Sequence, residues 1–193
     1  MRIALVCTPH VDPTLRLAAQ MGATEVVARY PAHLGRTLDD MVAEAKGHGL
    51  AISIVEGYIP HDELTHGREG RTRQLAGFID LVRDMAWLGV EILCSNLMPD
   101  DDWTRTTTTA PERGGALATA FDAADLDPSP GRGGPITAAR LWDNLAWFLD
   151  RIVPLAEKEG VKLALHPDDP PMSPLKHQER IVIHPRRSSE CFG

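Results

Sequence analysis

Short apolar runs of strand length alternate with stretches whose apolar residues recur at helical spacing. Ile3–Cys7 is an apolar run closed by Thr8-Pro9, and it reads as a buried strand. Asp12-Pro13 then supplies a helix cap with proline at the first helical position, Leu17, Ala18 and Met21 continue the helix, and Gly22 stops it. Glu25–Ala28 predicts a second strand. Thr37-Leu38-Asp39-Asp40 resembles a capping box and opens a helix with its stripe on Leu38, Met41, Val42 and Ala45, ended by Gly47 and Gly49. Ala51–Val55 predicts a third strand. A helix through Leu75, Phe78, Ile79, Val82, Met85 and Ala86 ends at Gly89, and Val90–Cys94 predicts a fourth strand. Leu141, Leu145, Phe148, Ile152 and Leu155 mark one face of a long helix containing Pro154. Gly160 stops it before a fifth strand over Val161–Leu165, and Arg180–His184 could add a short sixth.

Strands alternating with helices argue for βα units and a parallel sheet. No G-x-G-x-x-G follows any strand, and Gly131-Arg132-Gly133-Gly134 opens no strand-to-helix turn. A (β/α)₈ barrel is the other architecture this alternation allows, and its active site collects at the C-terminal ends of the strands. The segments there are Cys7-Thr8-Pro9-His10, Arg29-Tyr30, Glu56-Gly57-Tyr58, Ser95-Asn96-Leu97-Met98-Pro99 and His166-Pro167-Asp168-Asp169-Pro170-Pro171. The connection from Ser95 to Ile136 far exceeds the ~12–15 residues at which unstructured loops become uncommon, so it reads as a lid or an excursion.

Composition changes the picture little. The 193 residues carry 20 Lys+Arg against 27 Asp+Glu, a net charge of −7, which argues against a nucleic-acid partner. No apolar run approaches the ~18 residues of a membrane span, and the start of the chain does not resemble a signal peptide. The three cysteines, Cys7, Cys94 and Cys191, are widely spaced and suit a reducing compartment. The expectation is a single domain over residues 1–193 in a cytoplasmic protein, with Cys7 and Cys94 packed rather than reactive.

Several side chains could carry chemistry. His166 follows a strand and is either a histidine bonded to backbone or a metal ligand; Asp168 and Asp169 beside it are carboxylates of the kind hard metals take. Arg105 is either a structural ion-pair residue or a bidentate clamp on a substrate carboxylate. Glu56 could be a base, a partner to a ligand or a solvated loop residue. The Asp100–Asp102 run reads more readily as a solvated face than as a cation site.

Cys94-Ser95-Asn96-Leu97-Met98-Pro99 followed by Asp102-Trp103-Thr104-Arg105-Thr106 resembles the signature loop of mannonate dehydratases. Leu141-Trp142-Asp143-Asn144-Leu145, Pro154-Leu155-Ala156-Glu157 and above all His166-Pro167-Asp168-Asp169-Pro170-Pro171 are similar to the same family. The resemblance covers nearly the whole chain and only the N-terminal part of the family's length. It implies an α/β fold, a partial (β/α)₈ TIM barrel of the xylose-isomerase-like kind with about five parallel strands and helices outside. It implies a lyase of hexuronate (glucuronate) catabolism that dehydrates D-mannonate to 2-keto-3-deoxy-D-gluconate with Mn²⁺ or Fe²⁺. His166 is then a metal ligand; Arg105, Asp168 and Asp169 are catalytic candidates; Arg105, Glu56, Asn96 and Trp103 are substrate-binding candidates. The partner is a small sugar acid, with no nucleic acid and no membrane, and a homo-oligomer is compatible with a partial barrel's open edges. The stretch 176–193 departs from the family: His184 and Cys191 match none of its later metal ligands. The chain is therefore expected to be an incomplete barrel with little or no activity by itself. A sugar isomerase or epimerase on the same fold and a non-catalytic barrel fragment are the alternatives.

Overall fold

The structure is a computed structural model and describes residues 2–8, 10–99 and 103–183. The Asp100–Asp102 run, His184 and Cys191 lie outside the described residues.

The five anticipated strands form, and they build one sheet. They are β1 (Ala4–Val6), β2 (Glu25–Ala28), β3 (Ala51–Glu56), β4 (Ile92–Ser95) and β7 (Lys162–Leu165). They pair in the order β1-β2-β3-β4-β7, every pair parallel. Between them run α1 (Asp12–Gln20), α2 (Leu38–Gly47), α3 (Asp62–His66), α4 (Arg71–Leu88) and α5 (Ala138–Glu159). Parallel neighbours joined in chain order need right-handed crossovers, which stack the helices on one side of the sheet. There Val26, Ala28, Ile52, Val55 and Leu93 meet Leu15, Met41, Phe78, Val82, Leu141, Leu145 and Ile152 in one apolar core. Phe78 and Phe148 join α4 to α5 edge-to-face, with ring centroids 4.9 Å apart.

Helix ends follow the predicted punctuation with one change. Thr37 caps α2: its Oγ1 accepts from Asp40 N at 3.1 Å and donates to Asp40 Oδ2 at 2.7 Å. Gly89 and Gly160 close α4 and α5 in the left-handed region. Asp12, however, is not the cap of α1. Val11 holds that position, and Asp12 sits in the first turn, paired with Arg16 and, at 3.3 Å, with His48.

The excursion contains an antiparallel hairpin, β5 (Thr107–Pro111) with β6 (Leu117–Ala120), turned through Gly114 and Gly115 at φ 71° and 78°. The β-branched run Thr106–Thr109 favours a pleated strand, and the two glycines supply the reversal. Residues 180–183 form no sixth strand; Arg180, Ile181 and Val182 are instead buried under the sheet's rim.

The turn after α3 is fixed by close approach. Gly67 ends α3 at φ 67°, and a Cβ there would lie 2.5 Å from Asn144 Oδ1. Asn144 is buried and its Nδ2 donates to Thr65 O at 2.8 Å, tying α3 to α5. Gly67→Ala combines left-handed strain with displacement of this bond and should cost about 2 kcal/mol or more in urea unfolding.

At the end of β1, His10 is buried, with Nε2 donating to Met41 O at 3.1 Å. Arg36 donates to His10 O at 2.9 Å and pairs with Glu44 at 2.7 Å. Burial pushes the His10 pKa below its ordinary 6.5; the backbone bond and Glu44 oppose this, and Arg36 adds to it. Below pH 6.5 the unfolded chain therefore takes up a proton that the folded chain refuses. His10 stabilises the fold above 6.5, and that contribution is lost as pH falls toward its folded pKa, at no more than about 1.4 kcal/mol per pH unit. His10→Gln should flatten the pH dependence of unfolding free energy in this window.

Candidate active site

Parallel strands in chain order bring all their C-terminal ends to one rim, and a cleft of about 650 Å³ opens there. Arg29 enters it from the end of β2, Glu56, Gly57 and Tyr58 from β3, Cys94, Ser95 and Asn96 from β4, and His166 from β7. Trp103, Thr104 and Arg105 come from the loop before β5, and Asp169 and Lys176 from the segment after β7. Glu56, Asn96, Trp103, Arg105, His166 and Asp169 thus share one cavity, although they span more than half the sequence.

Arg105 and Asp169 face each other with both prongs engaged: Nη1 donates to Oδ1 at 3.1 Å and Nη2 to Oδ2 at 2.7 Å. Arg105 also donates to Thr104 O at 2.9 Å and to Thr119 Oγ1 of β6 at 3.3 Å, and its guanidinium lies 4.9 Å from the Trp103 ring centroid. The fork expected to clamp a substrate is closed on a protein carboxylate. It locks the Trp103 loop to the segment after β7 and sets the exposed indole at the cleft mouth.

His166 Nδ1 lies 2.6 Å from Pro167 O. A carbonyl only accepts, so Nδ1 carries the proton, and in the neutral ring the Nε2 lone pair is left to act as base or ligand. Asp168 lies apart from the other candidates. It is buried and absent from the cleft wall, and its Oδ2 accepts from Val182 N at 2.6 Å while its own N–H donates to Val182 O at 3.0 Å. It fastens Val182 to the segment after β7, outside the cleft wall. Cys94, expected as packing, is only partly buried and lines the cleft; burial and then Glu56 push its thiol pKa up, away from the thiolate. Among the described residues no group of three or more His, Cys, Asp or Glu side chains could hold a metal ion.

Arg29, Tyr58 and Lys176 also line the cleft and are not among the sequence candidates. Arg29 and Tyr58 stood in the strand-end segments and could have been promoted on position alone. Lys176 carried no signal, because its place depends on a turn that its sequence does not advertise.

A family model described as D-mannonate dehydratase (UxuA) matches residues 22–131 and 134–188. This chain belongs to the D-mannonate dehydratase family. Among curated members, the mannonate dehydratase of Bacillus subtilis (strain 168) is 34% identical over 168 residues, 71% of this chain and 46% of that protein. That of Streptococcus agalactiae (serotype Ia) is 32% identical over 160 residues, 70% and 46% of the two chains. The chain spans about half the length of these relatives. The crystal structure of mannonate dehydratase from Streptococcus suis serotype 2 superimposes on all of this chain and 60% of its own, with a TM-score of 0.83 and 27% identity. An L-ribulose 3-epimerase matches at TM-score 0.60 and 13% identity, which shows the shared fold. The five-stranded sheet is accordingly part of a xylose-isomerase-like TIM barrel.

The Arg105–Asp169 pair is bidentate and partly buried, so its members should couple strongly. A double-mutant cycle with Arg105→Ala and Asp169→Ala, read by urea unfolding, should give about 1–2 kcal/mol of interaction energy, above the range of exposed pairs.

Proposed function

We propose that this chain supplies the substrate-binding wall of a D-mannonate dehydratase, a hydro-lyase that converts the sugar acid to 2-keto-3-deoxy-D-gluconate. The observation that carries the proposal is the convergence of His166, Asp169, Arg105, Trp103, Asn96 and Glu56 on one cleft at the strand ends of a chain belonging to this family. A cleft of about 650 Å³ has room for a six-carbon acid. No helix among the described residues is long and apolar enough to cross a membrane.

The reaction removes the proton beside a carboxylate and expels the neighbouring hydroxyl as water. Negative charge builds on the carboxylate as the proton leaves, so fixed positive charge is needed there. Asn96 and Glu56 offer hydrogen bonds to the hydroxyls, and Trp103 an apolar face for the sugar's carbon–hydrogen side. Asp169, held in one orientation by Arg105, and His166, with its tautomer set by Pro167, are the groups we assign to proton transfer; Arg105 acts by positioning Asp169 and Trp103.

The resemblance brings a divalent ion, Mn²⁺ or Fe²⁺, which would act as a Lewis acid on the substrate's oxygens. His166 has the donor such an ion takes, but the described residues do not converge as a ligand set. The chemistry assigned to this chain is accordingly substrate binding and proton handling.

The alternative of a neutral-sugar isomerase or epimerase shares the fold and is separated by one comparison. In calorimetric titration of the 193-residue chain, D-mannonate should bind at least about tenfold more tightly than D-mannose, a difference near 1.4 kcal/mol. Equal or tighter binding of the neutral sugar would reject the sugar-acid reading and favour the alternative.

A further inference from the structure

Among the described residues, the non-glycine positions with positive φ are Tyr58 at 61°, Lys176 at 50° and His177 at 65°. The left-handed region is disfavoured for L side chains and persists mainly where the surroundings or the function demand it. Two of these three residues line the cleft.

Lys176 and His177 are the central pair of a two-residue reversal. Leu175 N donates to Gln178 O and Gln178 N to Leu175 O, both at 2.9 Å, and Gly131 N donates to Lys176 O at 3.0 Å. Positive φ at both central residues is the type I′ turn, whose favoured occupants are Asn-Gly. Lysine and histidine are poor choices for that backbone, yet the turn delivers Lys176 to the cleft while His177 stays exposed.

Across the cleft, Gly57 at φ 72° precedes Tyr58, and a Cβ on residue 57 would lie 3.2 Å from Arg29 Nη1. The left-handed pair lets the Arg29 guanidinium pass close to the backbone. Arg29 Nε donates to Thr8 Oγ1 at 3.3 Å, and Nη1 donates to Glu56 O at 3.4 Å and lies 3.4 Å from Glu56 Oε1. The guanidinium sits 5.4 Å from the Tyr58 ring centroid, and that ring stacks on His33 with centroids 4.4 Å apart. Arg29 Nη2 has no partner among the described residues. Arg105, by contrast, is closed on Asp169.

We propose that Arg29 and Lys176, rather than Arg105, bind the substrate's carboxylate, with Tyr58 as the residue that positions Arg29. The proposal rests on the sugar-acid reading above and names the residues that give it specificity. Glu56 opposes Arg29, and Asp127 lies within electrostatic reach of Lys176, so an incoming carboxylate competes with protein acids at both cations.

The test is calorimetric titration of D-mannonate into the full chain in Mn²⁺-containing buffer, paired with urea unfolding. Arg29→Gln and Lys176→Gly should each weaken binding about tenfold or more, the loss expected for a charged hydrogen bond. Lys176→Gly should leave the unfolding midpoint at or above that of the native chain, because glycine suits the turn. His177→Gly relieves the same turn and should keep the native affinity. Native affinity in both Arg29→Gln and Lys176→Gly would overturn the proposal, as would a lowered midpoint in Lys176→Gly, which would make that side chain a structural one. Loss of affinity in Arg105→Gln with Arg29→Gln unaffected would return the clamp to Arg105. If the native chain takes up no D-mannonate, the sugar-acid reading itself fails, an outcome distinct from all of these.

Discussion

Everything at the cleft depends on the handedness of the βα crossover. A right-twisted strand feeding a helix that packs back on the same sheet leaves one topology open, with strands parallel, in order and ending at one rim. The pairing order β1-β2-β3-β4-β7 obeys it without exception. Residues as far apart as Arg29 and His166 become neighbours of one cavity with no long-range device beyond that rule. The apolar residues of the strands and helices hold the rim in place, and the loops are left to carry charge.

The charges there are not interchangeable. Arg105 spends its fork on Asp169 and so works as a latch between two loops. Arg29 is held by weaker contacts of 3.3–3.4 Å and faces one acid, Glu56. A sugar acid entering this cleft meets one guanidinium already neutralised and another only loosely engaged. Asp168 marks the other extreme, buried away from the cavity with its oxygen committed to Val182 N. Two adjacent aspartates thus serve different ends, because the chain after β7 turns one toward the cleft and the other under the rim.

The fold was legible because its signals are local. Runs such as Glu25–Ala28 and Ala51–Val55 are continuous, and glycine stops such as Gly89 and Gly160 follow from the left-handed cap. The β5–β6 hairpin is announced by the Thr106–Thr109 run and Gly114-Gly115, whereas the length of the connection by itself points only to an excursion. Of the site, the strand-end residues could be placed in advance because topology places them. Asp168 could not be separated from Asp169, and Lys176 could not be found at all. Both depend on how residues 168–183 fold back, through a bond to Val182 and a turn occupied by Lys-His where Asn-Gly is the recognisable signal.

The claim that this rim is where a sugar acid is held is tested most directly by a crystal structure of the chain with D-mannonate. The sugar is expected in the cleft bounded by Glu56, Trp103 and His166, its carboxylate within hydrogen-bond distance of a cationic side chain. A sugar bound elsewhere, such as the smaller groove lined by Arg68 and Arg140 at the start of α5, with the strand-end cleft empty, would contradict it.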